Sequence, residues 1–370
     1  MTSFDLVVVG AGIVGLAHAL AGAKRGLRVA VLERDSRASS ASMRNFGFVT
    51  VSGQEGGVTR ARALRSREIW IEAARDAAID VHQRGALVVA RRLSALAVLE
   101  EFSASEMGVG CEMLTAQQAR QRLPQLCPTA VGALSSIHEL RVEARQALPR
   151  LADWLERRHG VTFMWDTAVL GFEGSTVRHA GGELRADAVV IAPGAAVAAF
   201  APGLAREVNL RQCKLQMMRI ASPGFTLPAV VMTDLSLLRY GGFAAMPSAA
   251  RLREELERDC HRELENGVHL IVAQASDGSL VVGDSHHYST AADPFSSTEV
   301  DSLILGELRA LLDIPPPVVT ERWLGYYPTA DVTPVLSESL APRVRLVSVT
   351  SGTGMSTAFA IGEETLAELF

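Results

Sequence analysis

Three glycines and one acid near the start of the chain carry its clearest chemistry. Gly10, Gly12 and Gly15 form G-x-G-x-x-G, and Glu33 stands 18 residues beyond Gly15. This is the pattern of a turn that receives the pyrophosphate of a dinucleotide. Gly10 permits the tight turn, Gly12 lets backbone approach the pyrophosphate, and Gly15 lets a helix pack closely on a strand. The helix start, at Ile13 and Val14, offers free N–H groups and the positive end of its dipole. An acid about 20 residues on can take both hydroxyls of an adenosine ribose. The same charge repels a 2′-phosphate, which disfavours NADP.

The elements around these residues fit that chemistry. Phe4 to Val9 is an apolar run that predicts a buried strand, Leu16 to Lys24 predicts a helix closed by Gly26, and Val29 to Leu32 predicts a second strand ending at the acid. Together they form a β-α-β unit. Further helices are predicted at about Thr59 to Ala78, Leu93 to Met107, Thr115 to Leu123, Ala144 to His159 and Ser296 to Leu312. Strands are predicted at Gly85 to Ala90, Leu184 to Ala192, Val268 to Ala273, Leu280 to Val282 and Val344 to Val349, with a last helix at Ser356 to Leu369. From about Leu210 the pattern turns to short mixed strands. The fold class is therefore α/β: a Rossmann-like dinucleotide domain with an inserted α+β substrate domain containing a large mixed or antiparallel sheet. The expected division gives residues 1–80, 140–208 and 324–370 to the first, and 81–139 and 209–323 to the second.

Composition narrows the function. Among 370 residues, 48% are hydrophobic and 21% charged, as in ordinary globular proteins. A net charge of −5 gives no basic field, so nucleic acid is not an expected partner. The four cysteines are scattered without a C-x-x-C pair and predict neither a zinc site nor a disulfide framework. Adjacent His286 and His287 would point to opposite faces of a strand, so no metal centre is expected. No signal peptide precedes the first strand and no apolar run is long enough to span a bilayer, so a cytoplasmic location is expected.

Three segments favour flavin over nicotinamide. Asp187 to Ala192 reads as a strand that ends in a sharp turn at Pro193-Gly194. Ser351-Gly352-Thr353-Gly354-Met355-Ser356 follows a strand and opens a helix, whose positive end could face the electron-rich edge of an isoalloxazine. Arg44-Asn45-Phe46-Gly47 lies where a long ligand would pass from ribose to ring.

Taken together, Gly10 to Glu33, Asp187 to Gly194, Gly278 to Gly283, Trp323 to Pro334 and Gly352 to Glu364 resemble the D-amino-acid-oxidase-like FAD-dependent oxidoreductases, the superfamily of glycine and sarcosine oxidases. The resemblance implies non-covalent FAD, since no cysteine occupies Trp323 to Pro328. It implies cofactor contacts from Gly10, Gly12, Ile13, Val14, Gly15, Glu33, Arg34, Arg44, Asn45, Phe46, Val169, Ala192, Gly194, Gly352, Thr353, Gly354, Met355 and Ser356. It also implies oxidation of a C–N bond by hydride transfer to the flavin, with dioxygen or another acceptor taking the electrons. More narrowly, Ala41 to Gln54, Cys213 to Met217 and Gly283 to His287 are similar to a clade encoded among bacterial phosphonate-degradation genes. That implies an aminoalkylphosphonate substrate, N-methylated or not.

One departure bears on substrate. Amino-acid oxidases of this superfamily place an Arg before the Pro of Gly325-Tyr326-Tyr327-Pro328, as a fork for the α-carboxylate. Here Tyr327 stands in its place, which disfavours a simple α-amino acid. A phosphonate dianion then needs cations from elsewhere, and the candidates are Arg44, Lys214, Arg239, His286, His287 and Arg322. Tyr326, Tyr327 and His286 are the expected pocket residues. The alternatives are an oxidase of another small amine or amino acid, and a non-catalytic or NAD-binding protein.

Overall fold

The computed structural model describes residues 3–370. Its secondary structure gathers into two sheets. In the first, Ser3–Val9 lies between Gly182–Ile191 and Val29–Leu32, all parallel, with Val8 opposite Val190 on one side and Val31 on the other. Thr162–Met164 extends one flank and Val344–Val349 the other, again in parallel. Strands buried on both faces read as unbroken apolar runs, which is why Leu6-Val7-Val8-Val9 and Val189-Val190-Ile191 were legible. The chain leaves Ser3–Val9 toward one neighbour and later returns to the other. That reversal opens a crevice at the strand's carboxyl end, where open α/β sheets bind ligands.

The helix Ile13–Lys24 and the final helix Gly354–Leu369 cover this sheet together, with Leu16, Leu20, Phe359 and Ile361 in one apolar core. Helix Ala144–His159 has the predicted bounds; Gly160, in the left-handed conformation, ends it. Helix Val58–Asp76 starts one residue earlier than the sequence suggests. The charged stretch after Arg251 is helical too, as Ala249–Asp259 and His261–Glu265, and presents Leu252 and Leu256 to a second core.

The second sheet has ten strands and is mostly antiparallel. Arg211–Ile220 runs along Val319–Thr329 on one side and Leu280–Gly283 and His287–Ser289 on the other. Ile271–Gln274, Val230–Thr233, Val81–Ala90 and Gly132–Val142 follow in order. Gly283 lies opposite Met217 and His287 opposite Lys214. Three residues, Asp284, Ser285 and His286, therefore face only two, Leu215 and Gln216. This is a bulge, a device that re-aims side chains. Among the described residues, no helix is long and apolar enough to cross a membrane.

His18 makes a prediction about stability. It is fully buried in the first helix, with Nδ1 2.7 Å from the Val14 carbonyl and no partner for Nε2. Burial lowers its pKa to about 4. The unfolded chain takes up this proton near pH 6.5 and the folded chain does not until near pH 4, so stability is full above 6.5 and falls as pH drops. His18→Leu is expected to remove about 2 kcal/mol of the stability lost between pH 6.5 and 5. Urea unfolding of both proteins at the two pH values measures it; parallel losses in both would refute the assignment to His18.

Candidate active site

The glycine turn is built as its sequence suggests, and its glycines have different tasks. Gly10 adopts φ +102°, and a Cβ there would lie 2.4 Å from the Ala192 carbonyl oxygen. The turn after the first strand and the end of Gly182–Ile191 are thus pressed together. A Cβ on Gly15 would fall 1.8 Å from the Gly10 carbonyl oxygen, so helix and turn meet only because no side chain intervenes. Gly12 has an ordinary φ of −67°, and a Cβ there would meet only the Ser42 hydroxyl, at 3.2 Å. Its backbone is open on the ligand side. Glu33 sits at the end of the second strand, where Oε2 accepts the Ala11 N–H at 2.8 Å and Oε1 the Asp35 N–H at 3.1 Å. Its carboxylate is thereby fixed beside the turn. Arg34 points to solvent beside Asp35. Val169 opens a strand two residues after Thr167, whose N–H donates to the Glu33 carbonyl at 2.8 Å.

From this turn a cavity of about 370 Å3 extends between the two sheets, within the ~300–1,000 Å3 of small-molecule sites. Ile13 and Val14 line it at the helix start, and Gly194 and Gly352 through Ser356 line it below. Arg44, Asn45 and Phe46 line its flank. Asn45 spends its amide locally, donating to the Ala41 and Ser42 carbonyls and accepting the Gly47 N–H. It therefore shapes the turn that carries Arg44 and Phe46. Gly352, at φ +76°, lets the tail approach the Tyr327 ring; a Cβ there would lie 3.0 Å from Tyr327 Cζ.

The upper wall comes from the second sheet. Arg239 lines it, and its Nη2 donates to the Tyr327 hydroxyl at 2.9 Å, while its buried Nε has no partner. Burial disfavours the guanidinium charge, but the Asp284 carboxylate and the phenol oxygens of Tyr327, Tyr288 and Tyr240 lie around it, and it stays charged. Burial raises the Tyr327 phenol well above its ordinary range, so it stays a neutral hydrogen-bonding group. His286 also lines the cavity, and burial lowers its pKa to about 3, which keeps the ring neutral. Tyr326 lines the cavity too, but its hydroxyl is committed to the Asp293 carbonyl at 3.1 Å.

Three of the predicted cations lie elsewhere, each for a plain reason. Lys214 is tied to Asp293 at 2.8 Å and to the Phe295 carbonyl at 3.1 Å. Arg322 is half exposed and paired with Asp301 at 2.5 Å. His287, half-buried at the start of its own strand, faces the Asn266 side chain at 3.2 Å. Arg44 is exposed at the mouth, with Nε donating to the Ser39 carbonyl at 2.9 Å. Arg239 is thus the predicted cation that reaches the cavity from its upper wall.

Sequence reasoning missed His269 and Asp284, which line the same wall beside His286. Asp284 comes from the bulge, where strict alternation fails. His269 precedes Ile271–Gln274 and is joined to Asp284 by two backbone hydrogen bonds, at 3.0 and 3.2 Å. The available signal was an acid placed directly after an apolar strand, Val281-Val282-Gly283-Asp284.

The chain matches the family model described as DAO, FAD dependent oxidoreductase, over residues 5–369. Among curated proteins it is 30% identical over 187 residues to one component of the anaerobic glycerol-3-phosphate dehydrogenase of Escherichia coli K12, a match covering 47% of this chain. It spans only a third, 33%, of the length of that relative. Its fold is similar to crystal structures of glycine oxidase from Geobacillus kaustophilus (TM-score 0.79, 20% identity, 100% of this chain and 95% of that one). It is similar also to iminodiacetate oxidase from Chelativorans sp. BNC1 (TM-score 0.72, 18% identity, 98% and 95%). A third likeness is L-alpha-glycerophosphate oxidase from Mycoplasma pneumoniae with FAD bound (TM-score 0.78, 16% identity, 100% and 95%). The open Gly12 backbone, the fixed Glu33 carboxylate and the cavity between the two glycine turns suit such a cofactor. The chain belongs to the DAO family of FAD-dependent oxidoreductases.

Proposed function

We propose that the protein oxidises the C–N bond of a small amine that carries a phosphonate, with FAD held non-covalently. Bound FAD supplies the acceptor for a hydride from the carbon next to nitrogen; the imine product then hydrolyses to an aldehyde and an amine. The observation that carries the reading is Arg239, a cation that lines the cavity and is braced there by Tyr327. Tyr327 occupies the place where the superfamily's α-amino-acid oxidases carry their carboxylate fork. Support therefore falls on an anion held by one guanidinium with a phenol and imidazoles beside it. A group with three oxygens can use more of these partners than a planar carboxylate.

The residues do the rest of the work by placement. Gly10, Gly12 and Gly15 receive the cofactor's pyrophosphate, Glu33 the ribose, and the turn Gly352 to Ser356 approaches the ring. The amine enters deprotonated, so positioning and electrostatics carry the rate. A small amine or amino acid without phosphonate is the second reading.

The test is anaerobic reduction. N-methyl-2-aminoethylphosphonate should bleach the flavin absorbance near completion in one turnover. Glycine and D-alanine at equal concentration should leave it yellow. Bleaching by glycine or D-alanine but not by the phosphonate would remove the substrate assignment and keep the oxidoreductase.

A further inference from the structure

We propose that His269, Asp284 and His286 form a binding site for one divalent transition-metal ion, in the wall of the cavity where substrate is expected. One ligand atom from each lies within 4.8 Å of the other two. His269 Nε2 is 3.1 Å from Asp284 Oδ1, and His286 Nε2 is 3.9 Å from Asp284 Oδ2. Tetrahedral zinc with bonds of ~2.0–2.2 Å sets its ligand atoms about 3.4 Å apart, between these two spacings. Both rings are held from behind. His286 Nδ1 faces the Gly267 carbonyl at 3.1 Å. His269 Nδ1 faces the Ser236 hydroxyl at 3.2 Å, and that hydroxyl donates to the Leu270 carbonyl at 3.2 Å. A protein acceptor on Nδ1 puts the proton there and turns the Nε2 lone pair inward, the usual support of a metal-binding histidine.

That arrangement leaves a conflict that a cation resolves. Asp284 is only 5% exposed, and its Oδ1 faces His269 Nε2 at 3.1 Å with no other polar partner. An unpartnered carboxylate oxygen facing an imidazole lone pair in the interior is costly. A metal ion between them turns both into ligands. Two nitrogens and one oxygen, with positions left open, suit zinc or a similar ion. Zinc has no redox chemistry of its own to compete with a flavin.

Charge gives a second reason, which rests on the phosphonate reading above. The arginines and carboxylates lining the cavity, Arg44 and Arg239 against Glu55 and Asp284, are equal in number. A phosphonate dianion with a neutral amine brings two negative charges. A divalent ion in the wall balances them, and its open positions can accept phosphonate oxygens.

The experiment uses the FAD-loaded protein, stripped with EDTA, dialysed and titrated with zinc chloride by calorimetry, with bound zinc counted by mass spectrometry. We expect one zinc ion per chain. Asp284→Asn and His269→Gln should each weaken it more than about a hundredfold, and Ser236→Ala about tenfold, the scale of losing an outer support. Retained flavin colour and an unchanged melting transition show that each variant is folded. Should a ligand variant fail that check, Ser236→Ala alone decides. No stoichiometric uptake, or uptake unchanged in the variants, overturns the site and leaves His269 as a hydrogen-bond partner of Asp284. The substrate reading fails separately. Zinc uptake without bleaching by the aminophosphonate removes the substrate and keeps the site, whereas bleaching by metal-free protein that takes up no zinc does the reverse.

Discussion

Arg239→Met is expected to lower kcat/KM for N-methyl-2-aminoethylphosphonate by roughly a hundred- to a thousandfold while FAD stays bound. Methionine keeps much of the apolar stem and removes the charge. The guanidinium lines the cavity, with its Nη2 already braced by Tyr327. Losing one partner of a buried charged hydrogen-bonded pair costs about 2–5 kcal/mol, and about 1.4 kcal/mol is tenfold. The loss should appear mainly in KM, because the anion lies away from the reacting carbon and binds alike before and during the reaction. A simple amine without an anionic group should lose little. Steady-state kinetics with both substrates decides the matter: equal losses for both would mean that Arg239 shapes the cavity rather than gripping an anion. Arg239→Lys should recover only part of the rate, since a point charge cannot reproduce a guanidinium braced by Tyr327.

The contrast between Arg239 and Lys214 shows how much of the site the sequence could reveal. Both stood as candidate cations, and no local pattern separates them. The decision is made by Asp293, 79 residues further along, which reaches Lys214 and leaves Arg239 alone. Pairings across such distances follow from the fold and not from spacing. The cofactor end behaves differently. Gly10 to Glu33 is one continuous β-α-β unit, so each requirement of the ligand is written in adjacent residues. The apolar strands around Val8 and Val190 and the amphipathic helix Ala144–His159 were legible for the same local reason. The wall made by His269, Asp284 and His286 was not. It needs a bulge of one residue opposite Leu215-Gln216 and the pairing of His269 with Asp284. Period-two reading assigns alternate faces, and a single extra residue reverses the assignment. His286 and His287 drew attention as neighbours, whereas the working neighbour of His286 lies 17 residues upstream.

The glycine turn supports a sharper test, because its glycines are glycines for different reasons. Gly15→Ala should damage the fold itself. Its Cβ would lie 1.8 Å from the Gly10 carbonyl oxygen, which is backbone and cannot swing aside. Helix and strand would have to separate, at a cost of about 3 kcal/mol or more, the upper end of overpacking. Gly12→Val should leave the fold nearly intact. Position 12 has a φ that any residue adopts, and the nearest atom to a new Cβ is the Ser42 hydroxyl at 3.2 Å. That hydroxyl also accepts the Ile13 N–H at 3.0 Å, so a small adjustment is expected there, of about 1 kcal/mol. The valine side chain instead fills the space that a pyrophosphate needs against the helix start. The expected outcome is a soluble, cooperatively unfolding and colourless Gly12→Val protein, beside a Gly15→Ala protein with a clearly lowered melting temperature. Circular dichroism and the visible spectrum of the two preparations are enough to check it. A yellow Gly12→Val protein with full flavin content would mean that the diphosphate does not cross this turn. The placement of the ring beside Gly352 and of substrate beneath Arg239 would then lose its anchor, because both are measured from that crossing.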